Sequence, residues 1–202
     1  MKNLYLLRHG MTRANEEKLY CGASDLPLSE RGTAELLSKK ENYRYPDITG
    51  CDVVTSGMLR TEQTLDMIYG GIEHRGSPSL RELDFGIFEL KSYDELKEQN
   101  DYIAWISGDN IKNRCPGGES GEEMQKRVIS ELSRLLQSDR DVCIVTHGGV
   151  IAIIMGFLFP DCDKNMYEWQ PGPGNGYRVS FNGENGIFYC TIPEKINCKL
   201  VN

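Results

Sequence analysis

Short apolar runs alternate along this chain with stretches in which apolar residues recur every three or four positions. Leu4-Tyr5-Leu6-Leu7 is too short for a helix and is flanked by polar residues, so it predicts a buried strand, ending at Arg8-His9-Gly10. Cys51-Asp52-Val53-Val54-Thr55-Ser56 predicts a second strand, closing in small hydroxyl residues. Val142-Cys143-Ile144-Val145-Thr146 predicts a third, and His147-Gly148-Gly149 follows it. Tyr177 to Phe181 and Ile187 to Ile192, separated by Asn182-Gly183-Glu184-Asn185-Gly186, predict a C-terminal hairpin.

Between the strands the period changes. A helix is expected from Ser29, a good N-cap, towards Lys40. Met58 to Tyr69 is helical in pattern, with Leu59, Leu65 and Ile68 near one face and Gly70-Gly71 as the stop. Ser92 with Glu95 and Ser120 with Glu123 have the spacing of capping boxes. The helix opened by Ser120 should bury Met124, Val128, Leu132 and Leu135, and Val150 to Phe159 reads as a buried helix. Met11 to Pro27, Asn42 to Gly50 and Asn110 to Gly118 are expected as loops, and Ser79 to Gly86 as short and partly extended.

Strands alternating with helices predict an α/β fold: a three-layer arrangement with a mostly parallel sheet, helices on both faces and an antiparallel edge from the hairpin. The span from Arg81 to Glu119 lacks a strong strand, and its part from roughly 88 to 119 is expected to form a small helical cap. With no repeat, linker or low-complexity tract, residues 1–202 are expected to form a single domain.

Composition narrows the function. A formal charge of −7 weighs against nucleic acid and anionic membranes as partners, because both attract a basic face. The seven cysteines include no C-x-x-C pair, and their odd, scattered placement suits a reducing cytoplasm. The N-terminal apolar run is too short for a signal peptide, and Gly148 to Phe159 is too short to span a membrane. Nothing in the pattern fixes an oligomeric state.

Ligands of open α/β sheets bind outside the carboxyl ends of the strands. Those ends carry Arg8-His9, Arg60 and His147, and Gly10 lacks a Cβ that would hold a bound group off the backbone. A cation is disfavoured at a helix N-terminus, so Arg60 calls for another reason, either a ligand or a pair with Glu62. Of the three histidines, His74 lies in a polar loop and is expected to face solvent. A metal would want a third donor or local spacing such as H-E-x-x-H, and neither is present. Two arginines and two imidazoles suit a phosphoryl group: guanidinium forks match phosphate oxygens, and neutral histidine is a competent nucleophile. The leaving oxygen would then need a proton from a carboxyl group.

These residues resemble a known family. Leu7-Arg8-His9-Gly10-x-Thr12-x-x-Asn15, Asp25-x-Pro27-Leu28-Ser29-x-x-Gly32, Thr55-Ser56-x-x-x-Arg60-Thr61-x-x-Thr64, Arg81-Glu82-x-Asp84-x-Gly86, Gly117-Gly118-Glu119-Ser120 and Thr146-His147-Gly148-Gly149 fall in the order of the histidine phosphatase superfamily, the phosphoglycerate mutase-like fold. The resemblance implies His9 as the nucleophile that becomes phosphohistidine, and Arg8, Arg60 and His147 as the clasp on the phosphoryl oxygens. Glu82 would protonate the leaving oxygen and then activate water; an ion pair with Arg81 is the alternative. Asp84 would support the local backbone. Asn15, Cys21, Gly22 and Gly148 are expected on the substrate side.

Within the cap, Arg114 and Lys112 are expected to meet a second anionic group, and Tyr93, Tyr102 and Trp105 to give apolar contact. Alternatively the aromatics are helix core and the cations are solvated. The sequence departs from the family at Phe88-Glu89-Leu90, where aromatic-Glu-Gly is common, at Cys21 before Gly22, and at Gly57-Met58. Composition and residue spacing together with the resemblance point to a cytoplasmic, metal- and cofactor-independent phosphomonoesterase acting on a small phosphorylated metabolite, and the resemblance implies the phosphatase branch. Pro116-Gly117-Gly118-Glu119-Ser120 is similar to α-ribazole phosphatase-like members. A phosphoglycerate-type phosphomutase and a catalytically silent phosphate-binding module are the alternatives.

Overall fold

In β1 (Lys2–Arg8) alternate side chains point to opposite faces, and both sets are apolar: Leu4 and Leu6 on one side, Tyr5 and Leu7 on the other. A strand of this kind is stable only where both faces of its sheet are covered. The computed structural model, which describes residues 1–109, 111–184, 187–190, 194–196 and 198–199, has that arrangement.

From β1 the chain passes through α1 (Arg13–Glu16) and α2 (Glu30–Asn42) to the two-residue β2 (Tyr43–Arg44) and to β3 (Asp52–Thr55). Then come α3 (Leu59–Tyr69), β4 (Arg75–Gly76), two 3-10 turns at Pro78–Leu80 and Gly86–Phe88, α4 (Tyr93–Leu96) and α5 (Asn100–Ile106). The chain continues with α6 (Gly121–Leu135), β5 (Val142–Thr146), α7 (Gly148–Leu158), β6 (Gly176–Glu184), β7 (Ile187–Cys190), β8 (Glu194–Ile196) and β9 (Cys198–Lys199).

The main sheet runs β4-β3-β5-β1-β6-β7, with β8 also paired to β6. β4, β3, β5 and β1 are parallel neighbours, whereas β6 joins β1 antiparallel and carries β7 and β8 antiparallel. β2 and β9 form a separate antiparallel pair. On one face, Leu4, Leu6, Val142 and Ile144 pack with Met124, Val128, Leu132 and Ile151 of α6 and α7. On the other, Tyr5, Leu7, Cys143 and Val145 pack with Leu36, Leu65 and Ile68 of α2 and α3. The fold is therefore the three-layer α/β arrangement with a mostly parallel sheet.

Between β4 and α6 lies the cap, with a core of its own. Phe88, Leu96, Tyr102 and Cys115 are buried there, and Tyr20, Phe85 and Trp105 pack against them. Both predicted capping boxes form, but Ser92 opens only the single turn of α4 before α5 begins.

The chain departs from its local pattern in several places. Leu59 is 41% exposed, and α3 instead buries Arg60, Thr61 and Thr64 with Leu65 and Ile68. The first turn of α3 abuts the strand ends, where polar side chains find partners. The Met11–Pro27 loop contains α1, capped by Thr12 and Asn15, and the loop after α2 begins with β2. The hairpin forms as β6 and β7, while Asn185, Gly186, Thr191 and Ile192 lie outside the described residues, as does Asn110. Among the described residues no helix is long and apolar enough to cross a membrane.

The junction of β1 and β6 tests this packing. A Cβ on Gly176 would collide with the Leu6 carbonyl and stand 3.0 Å from the Leu7 Cα, both backbone atoms of the central strand. Gly176→Ala should therefore lower the unfolding free energy by about 1–3 kcal/mol, read as a shift of the urea midpoint. An unchanged midpoint would mean that β6 does not approach β1 this closely.

Candidate active site

The sheet register assembles the site. Arg8 pairs with Thr146 and Thr55 with Val145, so the residues that follow β1, β3 and β5 emerge side by side. The His9 and His147 rings consequently lie 5.1 Å apart, centroid to centroid, at 62°. The His9 amide donates to the Thr146 carbonyl at 2.9 Å. The Gly10 amide donates to Thr64 Oγ1 at 2.9 Å, and that hydroxyl donates to the Arg60 carbonyl at 2.6 Å, tying the exit of β1 to α3.

Hydrogen-bond partners fix the two imidazoles in opposite tautomers. His9 Nδ1 lies 2.6 Å from the Gly10 carbonyl, which can only accept, so Nδ1 carries the proton and Nε2 the lone pair. His147 Nδ1 accepts from Arg60 Nε at 3.3 Å, so its proton sits on Nε2, 2.9 Å from Ser56 Oγ. The chain runs on from Ser56 to Thr61 Oγ1 at 3.0 Å, and from Thr61 to the Met58 carbonyl at 2.7 Å. Burial pushes both imidazole pKa values well below 6.5, and the guanidiniums of Arg60 and Arg8 push the same way. Both rings are therefore neutral.

Arg60 donates from its two terminal nitrogens to the Ser24 carbonyl at 2.8 Å and the Gly22 carbonyl at 2.9 Å. It does not pair with Glu62, whose carboxylate takes Thr55 Oγ1 and His74 instead. Arg8 donates to the Pro171 carbonyl at 2.7 Å, and its buried Nε has no partner among the described residues. Burial lowers the pKa of both guanidiniums from the ordinary value, though arginine stays charged. A buried and a half-buried cation beside two neutral imidazoles make a place for an anion.

Glu82 completes the cluster. Its Oε2 accepts from the Gly149 amide at 2.9 Å, in the first turn of α7, and its Oε1 from the Leu83 amide at 3.1 Å. A Cβ on Gly149 would collide with this carboxylate, so only glycine lets the helix end come so close. Among the described residues Glu82 makes no ion pair with Arg81. The loop beneath it is gripped by Arg127, which donates to the carbonyls of Ser79, Arg81 and Glu82 at 2.9, 2.7 and 3.0 Å and pairs with Glu119. Asp84 Oδ1 accepts from the Gly86 amide at 2.9 Å.

The substrate-side expectations divide. Asn15 Oδ1 is taken by Thr12, leaving its Nδ2 as the donor available to a ligand. Gly22 supplies one of the two carbonyls that hold Arg60, Cys21 precedes it, and Gly148 lies against Arg8 and Gln170. Gly10 offers no open approach, because a Cβ there would meet Leu28 and Leu36 at 3.2 and 3.4 Å.

Arg114 is not brought to the cluster. Its guanidinium pairs with Glu123 of α6, and Lys112 pairs with Asp109, both on the exposed surface. Tyr102 is 2% exposed and belongs with Trp105 to the cap core, while Tyr93 is exposed. His74 is partly exposed and bonded to the Ile72 carbonyl and Glu62.

Reading the sequence assigned no role to Ser56, Thr61 or Arg127. The first two lie in segments already singled out, where a strand ending in the hydroxyls of Thr55 and Ser56 was the available signal. Arg127 had none, since a cation on the polar side of a helix reads as solvated.

Residues 4–188 match the sequence profile of the Histidine phosphatase superfamily (branch 1). A probable phosphoglycerate mutase of Salmonella choleraesuis (strain SC-B67) is 34% identical over 164 residues, 78% of this chain and 75% of that protein. The α-ribazole phosphatase from Shigella flexneri has the same fold, with a TM-score of 0.79 over 99% of this chain and 98% of that one at 22% identity. A phosphoglycerate mutase from Thermus thermophilus gives 0.66 over 88% and 92% at 28% identity.

The tautomers and charges are directly observable. Long-range nitrogen–proton NMR at pH 6.5 should find His9 neutral with its proton on Nδ1 and His147 neutral with its proton on Nε2. His74, whose pKa is raised by its bonds to Ile72 and Glu62, should be mostly protonated. A His9 ring that protonates near pH 6.5 would overturn the neutral site.

Proposed function

This chain belongs to the histidine phosphatase superfamily, whose chemistry is that of phosphatases and mutases, and we propose that its clustered strand ends transfer a phosphoryl group through His9. One observation carries the reading. His9 is a neutral, buried imidazole locked through Nδ1 and flanked by two guanidiniums that make no ion pair with a carboxylate among the described residues.

In the first step, the lone pair of His9 Nε2 attacks phosphorus as the bond to the leaving oxygen breaks, and Glu82 gives that oxygen a proton. Arg8, Arg60 and Asn15 Nδ2 are the donors for the equatorial oxygens, where charge accumulates in a loose transition state. The buried Arg8 Nε supports this role, since a bound phosphoryl oxygen would satisfy its hydrogen. His147 borders the same space, oriented by Ser56 and Arg60. In the second step, Glu82 takes a proton from water, whose oxygen bonds to phosphorus as the nitrogen–phosphorus bond breaks. Phosphate leaves and His9 is restored.

The finer reading is hydrolysis of a small phosphomonoester without a metal. A mutase must hold a substrate with a second anionic group while the phosphoryl group returns to another hydroxyl. Here the cap cations Lys112 and Arg114 are already paired with acids, and the fixed charges felt by Arg60 include the carboxylates of Glu82, Asp25 and Glu89. The likeness to a probable phosphoglycerate mutase favours transfer as the second reading. Incubation with 3-phosphoglycerate decides: release of inorganic phosphate supports hydrolysis, and efficient conversion to 2-phosphoglycerate overturns it.

Removing the nucleophile tests the first step. His9→Ala should cut turnover of p-nitrophenyl phosphate by at least about a thousandfold, with the unfolding midpoint little changed. The parent should yield an acid-labile, base-stable phosphoenzyme that the variant lacks. A variant that keeps most of the activity would remove His9 from the role.

Glu82 is tested by the leaving group. Protonation matters most when the departing oxygen is strongly basic. Glu82→Gln should therefore depress hydrolysis of an alkyl phosphate by about a hundredfold or more relative to its effect on p-nitrophenyl phosphate. Equal losses on the two esters would point to positioning instead of proton transfer.

A further inference from the structure

Glu89 touches none of the groups placed above around the phosphoryl position, yet its carboxylate collects more backbone donors than any group at the site. Oε1 accepts from the amides of Gly22 and Ala23 at 2.9 Å each and of Phe85 at 3.1 Å. Oε2 accepts from the amides of Gly22 at 3.1 Å and Ser24 at 3.2 Å. The amides of residues 22–24 thus converge on this one anion, and the carbonyls of the same loop hold Arg60.

One peptide plane joins the two directly. The Gly22 carbonyl accepts from Arg60 at 2.9 Å, and the Ala23 N–H of the same amide donates to Glu89 Oε1 at 2.9 Å. The cation sits at the oxygen end of the amide dipole and the carboxylate at its hydrogen end, so each bond polarises the amide in favour of the other. From this geometry we infer that Glu89 is a positioning residue for the phosphate clasp, acting on Arg60 through the 22–24 loop. The inference rests on the phosphoryl-transfer reading of the site.

The surroundings hold Glu89 to this task. Leu90, the next residue, has φ of +58°, a left-handed conformation that is costly for a leucine. Its amide donates to the Tyr20 carbonyl at 2.7 Å, and the Tyr20 amide donates to the Lys91 carbonyl at 3.0 Å. Two backbone bonds therefore register the turn carrying Glu89 against the segment that enters the 22–24 loop. Asp25, at the exit of that loop, accepts from the Leu59 amide at 2.7 Å and ties it to the start of α3, one residue before Arg60. Without the Glu89 charge the 22–24 amides lose their acceptor, and the carbonyl fork that aims Arg60 is free to turn.

Glu89→Gln keeps the shape but offers one acceptor and an NH2 group that meets an amide donor. Three measurements test the role. The first is the Arg60 Nε–H resonance, read without ligand, which should shift and lose its protection from exchange as the bond to His147 loosens. The second is affinity for inorganic phosphate by calorimetry, which should fall between about tenfold and a hundredfold. The third is steady-state kinetics, in which KM should rise by that factor on alkyl and aryl phosphates alike, unlike the leaving-group dependence expected of Glu82. In an Arg60→Lys background, where the fork has lost its guanidinium, Glu89→Gln should change phosphate affinity by less than about twofold.

An unchanged Arg60 resonance in a folded variant, or an equal loss of affinity in both backgrounds, would overturn the proposal. If Glu89→Gln does not fold, Glu89→Asp, which keeps the charge on a shorter arm, takes its place in the same comparisons. A parent protein that binds no phosphate would defeat the phosphoryl reading, whereas the ligand-free Arg60 resonance would still decide how Glu89 acts.

Discussion

Arg60 is 1% exposed and, among the described residues, makes no ion pair. Stripping water from a guanidinium costs several kcal/mol even after relaxation, and here carbonyl and imidazole dipoles offset it: Gly22, Ser24 and the Nδ1 of His147. That requirement shapes what lies around it. α3 starts against the strand ends so that Arg60 reaches inward, the 22–24 loop presents two carbonyls, and His147 keeps its proton on Nε2. Even so, the guanidinium's full charge remains for a ligand.

The neutral imidazoles follow from the same crowding of cations in a dry site. With Arg8 and Arg60 close by, a protonated His9 or His147 would add like charge where solvent cannot screen it. A nucleophile needs that neutrality, and the Gly10 carbonyl turns it to account by binding Nδ1 and leaving Nε2 basic. The glycines at the start of α7 serve a related purpose. They let the Glu82 carboxyl come close enough to the start of α7 for its Oε2 to accept from the Gly149 amide at 2.9 Å.

Farther out, the cap is self-supporting. Tyr20, Phe85, Phe88, Tyr102 and Trp105 pack edge to face or tilted, with ring centroids 5.1 to 6.0 Å apart, and the Tyr20 and Tyr102 hydroxyls meet at 2.5 Å. Asn113 fastens the end of α5 by donating to the carbonyls of Ala104, Trp105 and Ser107. The cap aromatics therefore give this segment a core that the sheet does not supply, while Lys112 pairs with Asp109 and Arg114 with Glu123 of α6.

By itself the sequence determined what depends on neighbours within about four residues. The runs at Leu4 and Val142, the capping boxes at Ser92 and Ser120, and the stripe from Met124 to Leu135 all carry local causes, in pleat alternation, helical period and side-chain-to-backbone bonds. Arg8, His9, Arg60 and His147 were legible as one group because each stands just beyond a strand, and strand ends converge in an α/β sheet. Tertiary structure decided the rest. The register that sets Arg8 beside Thr146, the hold of Arg127 on the Glu82 loop and the reach of Glu89 to Gly22 join residues 45 to 138 positions apart. No local period encodes such contacts. Arg114 and Tyr102 teach the same point from the other side: a free cation and one already paired, or a ligand-facing ring and a core ring, have the same local sequence. They differ only in what the folded chain brings against them.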